Sequence, residues 1–434
     1  MGRLSAFLKR IPQRFWFIPA VYIAGAVVLA QLLVGLDRSS LPVPAPVKGF
    51  LTDVGVDGAR ALLSSVATFL GVAGTAFSIT ISVVSTASTT YGPRLVRNFM
   101  RDRKNQTVLG VLVATFVYTL LVLRTIHSAT DDGSAFVPHL AVNFAIVLGV
   151  IDVILFVWFI HHIAESVQVE TLSSNAKYDF ERALSQNWID PDDDRADRRE
   201  PPVDGGTPLT LGRAGYLVMI DRQALARDLA ACGAQLRVLK RPGDQVMAEE
   251  PVALAWPESA AEDAQRQMRD HIHVAQSRTT DQDLRFAEQQ VVELAVRALS
   301  SGTNDPYTAI NAIEQVTAGI LTAVSRSESA NALLDDDGEP RLYLRPIPVH
   351  EIVSTPFDHI RPYATGNALV LTALVDLAAR VRAAAVDPSV AAIADRQVDT
   401  LLEVADLDPR EHEALTAHIK LSRDRSMYAP PSQP

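Results

Sequence analysis

Small and hydroxylated residues recur along one apolar stretch of this chain at spacings of four and three. They are Ser64, Thr68, Gly71, Thr75, Ser78, Ser82, Ser85 and Thr89. On an α-helix that spacing keeps all of them on one face. The remaining faces are richer in residues such as Leu70, Phe77, Ile81 and Val84. Hydrocarbon gives no reason for a row of hydroxyls, so the seam must meet a neighbouring helix or water. Two chemistries follow. Small faces let helices approach closely, and Gly71 with Thr75 has the small-xxx-small spacing. Alternatively, the hydroxyls line a water-filled path and replace part of an ion's hydration shell. A seam running almost the whole stretch favours a self-associating helix in both cases, and a central oligomer axis satisfies both.

Asp152 is the one acid near the middle of an apolar stretch. A charge there is expensive, so it should face the protein interior or a water cavity. It is expected either to be a buried acid, held protonated or bonded to hydroxyls of the seam helix, or to handle a proton or cation. Asn143 falls on the opposite helix face, and Arg124 lies too far along the axis to reach it. His139 stands near the outer end of the same stretch, and His161 and His162 at its inner end. Arg94, Arg97, Arg101, Arg103 and Lys104 form a basic loop that suits anionic headgroups. In an oligomer the same loop would make a positive vestibule.

Other constellations are weaker. His271 and His273 would share a face of a strand, but no third His or Cys lies nearby, so no metal is expected. The turn 303–308 offers helix N-terminal amides either to a side-chain cap or to an anion. The single cysteine, Cys232, rules out an intrachain disulfide and a multi-cysteine metal cluster, and reads as a small buried residue. Ser-x-x-Lys, Gly-x-Ser-x-Gly, Walker A and dinucleotide fingerprints are missing from any fitting context. No catalytic residue and no cofactor are expected.

The elements that position these residues begin with four apolar spans, 15–36, 61–88, 107–126 and 140–163. Each reaches or approaches the ~20 residues that cross ~30 Å of hydrocarbon. The first follows a basic lead but is long, holds Pro19 and lacks a clean small-residue cleavage site, so it reads as a retained signal anchor. Basic residues crowd the N-terminal lead and the loop between the second and third spans. The other two loops hold only Arg38, Lys48 and Arg60. This asymmetry puts both termini in the cytoplasm. The chain's 48% apolar content comes largely from this first part, and its net charge of −10 largely from the rest. That acidity argues against a nucleic-acid partner.

After the spans come an exit helix over 164–188, a charge run over 190–200 that reads as a solvated linker, and a β-rich segment over 201–257. Around Pro242-Gly243-Asp244 the pattern is similar to the hairpin of biotinyl/lipoyl-type barrels. That resemblance implies a small β-barrel-like module. It lacks the lysine at a hairpin tip that a cofactor carrier needs. Beyond 258 the chain reads as mainly helical, with helices over 284–299, 307–324, 367–384, 390–404 and 409–422 and an edge strand over 341–349. Gly302 is expected to close one helix in the left-handed region, with Asp305 capping and Pro306 opening the next. The tail over 427–434 is Pro-rich and expected to be disordered.

The stretches TAFSITISVVSTASTTYGPRLVRNFMRDRKNQTVLGVLVATFVYTLLVLRT and RTTDQDLRFAEQQVVELAVRALSSGTNDPYTAINAIEQV carry a family resemblance. Together with the four-span layout, they resemble an uncharacterised bacterial family of predicted membrane proteins with a soluble C-terminal half. The resemblance implies an inner-membrane protein of that architecture and carries no activity. The expected fold is therefore membrane α-helical: four transmembrane helices (1–163), an exit helix and linker (164–200), a small β-rich module (201–257) and a mainly helical α+β cytoplasmic region (258–426). The leading function is a homo-oligomeric channel or transporter that meets lipid and passes a small ion. A membrane-anchored scaffold or sensor is the alternative, and a membrane-bound enzyme ranks third.

Overall fold

In lipid a backbone must satisfy its own hydrogen bonds, and apolar runs of spanning length do so as helices. The structure, a computed structural model, describes residues 15–39, 54–91, 96, 99–100, 102–127, 136–166, 168–190, 193–326 and 328–424. It forms two units, Met1–Gln168 and Val169–Pro434.

The first unit holds α1 (Phe17–Arg38), α2 (Val56–Tyr91), α3 (Arg103–Leu123) and α4 (His139–Ser166). All four are long and apolar enough to cross a membrane. Half of the apolar window of α3 is buried, against 11–22% for the others, so α3 is the central helix. Gly110 lets it approach α1 closely: a Cβ there would lie 2.9 Å from the Tyr22 ring and 3.1 Å from Pro19 Cα. Tyr118, fully buried, donates its hydroxyl to Ala141 O at 2.9 Å and ties α3 to α4. Asp37, at the end of α1, accepts the amides of Leu140 and Ala141, each at 3.1 Å. A carboxylate from one helix thus caps the N-terminus of another, where the helix dipole favours it.

The second unit opens with α5 (Val169–Asn187). The expected exit helix is broken, since α4 ends at Ser166 before α5 begins. Strands β1 (Ala196–Asp197), β2 (Thr207–Thr210), β4 (Gln235–Val238), β6 (Pro251–Trp256), β8 (Ala332–Leu334) and β9 (Pro340–Tyr343) form one sheet in the order β1-β8-β9-β4-β6-β2. A second sheet is ordered β5-β3-β7, from Gln245–Val246, Gly215–Ile220 and Ile272–Ala275. Helices α6 (Arg222–Ala231) and α7 (Ala261–His271) share their apolar core.

Among the described residues both sheets are open and no closed barrel is found, so the expected β-barrel-like module gains no support. The larger sheet instead recruits a hairpin from beyond residue 330, with Leu236 facing Leu342 in a parallel pair. This also corrects the expected edge strand: β9 is interior, between β8 and β4, and buries Leu342 completely. The charge run is not all linker either, because Ala196 and Asp197 pair with β8.

The rest is helical: α8 (Leu284–Ala298), α9 (Pro306–Val324), α10 (Val349–Ala364), α11 (Ala368–Ala384), α12 (Pro388–Val404) and α13 (Pro409–Asp424). With α5 they enclose a core that includes Phe180, Val291, Val316, Ile320, Phe357 and Leu374. Asp305, Asn367 and Asp387 cap α9, α11 and α12 through side-chain bonds to the first-turn amides. Asn304, not Gly302, takes the positive φ, at 44°. Asparagine tolerates that region because its short polar side chain bonds locally.

Candidate functional site

Every residue of the seam is exposed on the first unit: Ser64, Thr68, Gly71, Thr75, Ser78, Ser82, Ser85 and Thr89. The helix turns a different face to its own neighbours, burying Ala59, Leu63, Ala73, Phe77 and Val84. Phe77 stacks on Phe159 of α4 with ring centroids 4.7 Å apart. Nothing lies within 4 Å of a Cβ built on Gly71 or Gly74, so that side of α2 is open to close approach. The hydroxyls of Thr68, Thr75 and Ser78 donate to the carbonyls of Ser64, Gly71 and Gly74 at 2.8, 3.0 and 3.1 Å. Thr89 donates to Thr86 O at 2.6 Å. With each proton committed to the helix's own backbone, these oxygens turn lone pairs outward.

Asp152 faces the interior, as its cost requires, and is 3% exposed. Its partner is not a seam hydroxyl. Thr115 Oγ1, on α3, donates to Asp152 Oδ1 at 3.1 Å. Val66 packs on Gly149, and Phe69 meets Phe156 edge-to-face at 5.5 Å, which sets Asp152 near the depth of Thr68. The acid and the seam therefore lie near one level, but the acid is buried and the seam exposed, so they do not line one surface.

In the basic loop, Arg103 and Lys104 are exposed, whereas Arg94, Arg97 and Arg101 lie outside the described residues. Beside them is an arrangement that sequence reasoning missed. Asp102 caps α3 through the Lys104 amide at 2.9 Å and meets His162 Nε2 at 2.8 Å. The His162 ring stacks on Trp158 at 5.1 Å. Asn105 and Gln106, both buried, donate to the carbonyls of Phe99 and Met100 at 3.1 and 3.0 Å. The polar Asn-Gln pair just before an apolar run was the available signal.

In the second unit the two-histidine idea fails. His271 ends α7 and His273 lies on β7, so they share no strand face. His271 Nε2 meets Asp228 Oδ2 at 2.8 Å. Burial, and then the nearby Arg213, hold His273 below the ordinary imidazole range. Among the described residues no group of three His, Cys, Asp or Glu side chains is placed to hold a metal. The 303–308 turn is a cap: Asp305 accepts the Thr308 amide at 3.1 Å and its hydroxyl at 2.5 Å. Cys232 is half-buried and donates to Leu229 O at 3.3 Å.

A cleft of about 290 Å³, also missed, opens between the Pro242–Asp244 turn, α8 and α10. Gly243 has φ +95°, and a Cβ there would strike Asp283 at 2.3 Å. Asp283, 1% exposed, caps α8 and takes a two-pronged bond from Arg278 at 2.6 and 2.9 Å. Glu351 is met by Arg241 at 3.4 Å and Arg285 at 3.7 Å. Glu288 also lines the cleft, and it is 1% exposed. Burial pushes its carboxyl well above the ordinary range. Its Oε1 has no hydrogen-bond partner.

Residues 12–380 match the family described as "Predicted membrane protein (DUF2254)". The chain is 31% identical over 423 residues to an uncharacterized protein of Mycobacterium tuberculosis, covering 93% of this chain and 78% of the relative. An uncharacterized protein of Mycobacterium bovis matches with the same identity and coverage. No solved structure matches.

Proposed function

The chain belongs to that family of predicted membrane proteins, and from this premise we propose that it is a homo-oligomeric channel or transporter of the inner membrane. The α2 seams of several copies would surround a common axis, with the second unit on the cytoplasmic side assembling or gating the path. One observation carries the reading. The face of α2 that is least suited to lipid is among those its own unit leaves open. The outward lone pairs of Thr68, Thr75 and Ser78 add a sign. Acceptor oxygens replace the hydration of a cation better than that of an anion. Arg94, Arg97 and Arg101 would stand at the inner mouth and oppose that preference.

The second reading is a membrane-anchored scaffold or sensor whose seam makes only dry contacts between copies. It is favoured by the same hydroxyls, which are already satisfied by the backbone and need no water. Cysteine scanning separates the two. For a conducting axis, cysteines at Thr68, Thr75, Ser78 and Ser82 react with small hydrophilic reagents, while those at Leu70, Phe77 and Val84 stay protected. Protein in planar bilayers then passes cations, and neutralising the three arginines raises the cation preference. Protected seam cysteines together with silent bilayers would leave the scaffold or sensor.

A further inference from the structure

We propose that the cleft between the Pro242–Asp244 turn, α8 and α10 binds a small monovalent organic cation carrying N–H donors, an ammonium or a guanidinium, on Glu288. This stands apart from the membrane path and does not rest on it.

One acceptor in this cleft is unfilled. Buried polar atoms nearly always find a partner, and an orphan needs a reason. Glu288 Oε1 is such an orphan, on a side chain that lines a cleft of about 290 Å³. The Glu288 carboxyl lies beside the Thr355 side chain. Thr355 has one proton to give, and it goes to Glu351 O at 2.8 Å. Burial favours the protonated acid at Glu288, and the nearby Thr355 hydroxyl offsets this only in part. The cleft wall therefore presents a buried carboxyl with one oxygen lacking a donor.

Charge completes the picture. Asp244, Asp283, Glu288 and Glu351 line the cleft opposite Arg278 and Arg285. Arg241 joins from outside the lining through Glu351. Each guanidinium is committed, Arg278 to Asp283 and the other two to Glu351. With Glu288 neutral these three carboxylates and three guanidiniums balance. If Glu288 ionises, one negative charge is left over, and one monovalent cation restores the balance. His359 and Gln289, both exposed, stand at the rim and leave a way in. A metal ion does not suit the site, because no three ligating groups converge there. A phosphate does not suit it either, because every arginine is already paired.

Binding then has a definite proton balance. The ligand's N–H meets Oε1, the Glu288 O–H bond breaks, and the proton leaves to the solvent. Thr355 can rotate to keep a bond with the carboxylate. Affinity should rise about tenfold per pH unit for as long as free Glu288 stays protonated.

The test uses the full-length protein in lipid nanodiscs, titrated calorimetrically with methylguanidinium and butylammonium. Two buffers of different ionisation enthalpy count the protons. Saturable binding with close to one proton released per cation is expected, tightening as pH rises. Tetramethylammonium, which has no N–H, and phosphate should not bind. Glu288→Gln should weaken binding at least tenfold and abolish proton release. Glu288→Asp, if the glutamine variant fails to fold, should bind more weakly and still release a proton. Several results would overturn the proposal: no saturable binding of either cation, equal binding of tetramethylammonium, preference for phosphate, or unchanged binding in Glu288→Gln.

Discussion

Two residues on different walls of the cleft make opposite demands on the fold. Gly243 holds the turn at φ +95° against the Asp283 carboxylate, leaving no room for a methyl group. Gly243→Ala adds backbone strain and pushes Asp283 off Arg278, so it should cost on the order of 3 kcal/mol. Chemical denaturation followed by tryptophan fluorescence would measure this, and a loss of only a few tenths would contradict the contact. Glu288 works in the other direction. Its folded-state affinity for protons is raised by burial, so the folded protein holds a proton that the unfolded chain releases above about pH 4.5, the ordinary glutamate value. Its contribution is fully present below that value and is lost as pH rises toward the raised one. The loss runs on the order of 1 kcal/mol per pH unit over the interval. Glu288→Gln should therefore be more stable than the parent at pH 7, with the gap closing toward pH 4.5. Paired melting curves at the two pH values test this, and a gap independent of pH would mean the acid is not buried as a neutral group.

At the scale of elements, what the sequence revealed was what local physics decides. The four spans follow from apolar length alone. Helix α9 announced itself through Asp305-Pro306, a cap that acts on its own first turn; Asn367 and Asp387 cap α11 and α12 in the same way, and the expected start at 390 passed over Asp387-Pro388. Helix α10 stayed hidden because Pro356 and Pro362 argue against a helix. The buried stripe of Ile352, Val353, Phe357 and Ile360 outweighs them, and that is tertiary information. The partners of β4 were hidden for the same reason, since β8 and β9 join the sheet from a long way down the chain. The seam was legible because a helix converts spacing into a face. Asp152's partner was not, because Thr115 is 37 residues away on another helix. Nor was the cleft, whose walls come from three separate segments. For α2 as an element, Thr75→Leu with Ser82→Leu places two branched side chains on the exposed small face. The double variant should abolish self-association, read as oligomer mass in native-lipid particles. A parent protein that is already monodisperse and monomeric would remove the basis for assembly through this helix.

On the scale of the whole molecule, the basic-loop asymmetry predicts that both termini lie in the cytoplasm. Cysteines at Val47 and at Arg101 should label from opposite sides of the membrane, and labelling of both from outside would reverse the orientation. A further consequence comes from the length of α2. Its 36 residues run about 54 Å, well beyond the ~30 Å of a hydrocarbon layer. Between Arg60 and Tyr91 it carries no Lys, Arg, Trp or Tyr, the residues that pin a helix at headgroup level. Such a helix can slide along the membrane normal and still offer the lipid an uncharged surface. The penalty for hydrophobic mismatch, which sorts other proteins between thin and thick membranes, should be small here. Reconstituted in bilayers with acyl chains from C14 to C22, the fraction assembled should change less than about twofold, whereas a sharp optimum at one chain length would show that α2 is anchored in depth. A protein built around this helix is a poor gauge of membrane thickness and should cross freely between domains that differ in it.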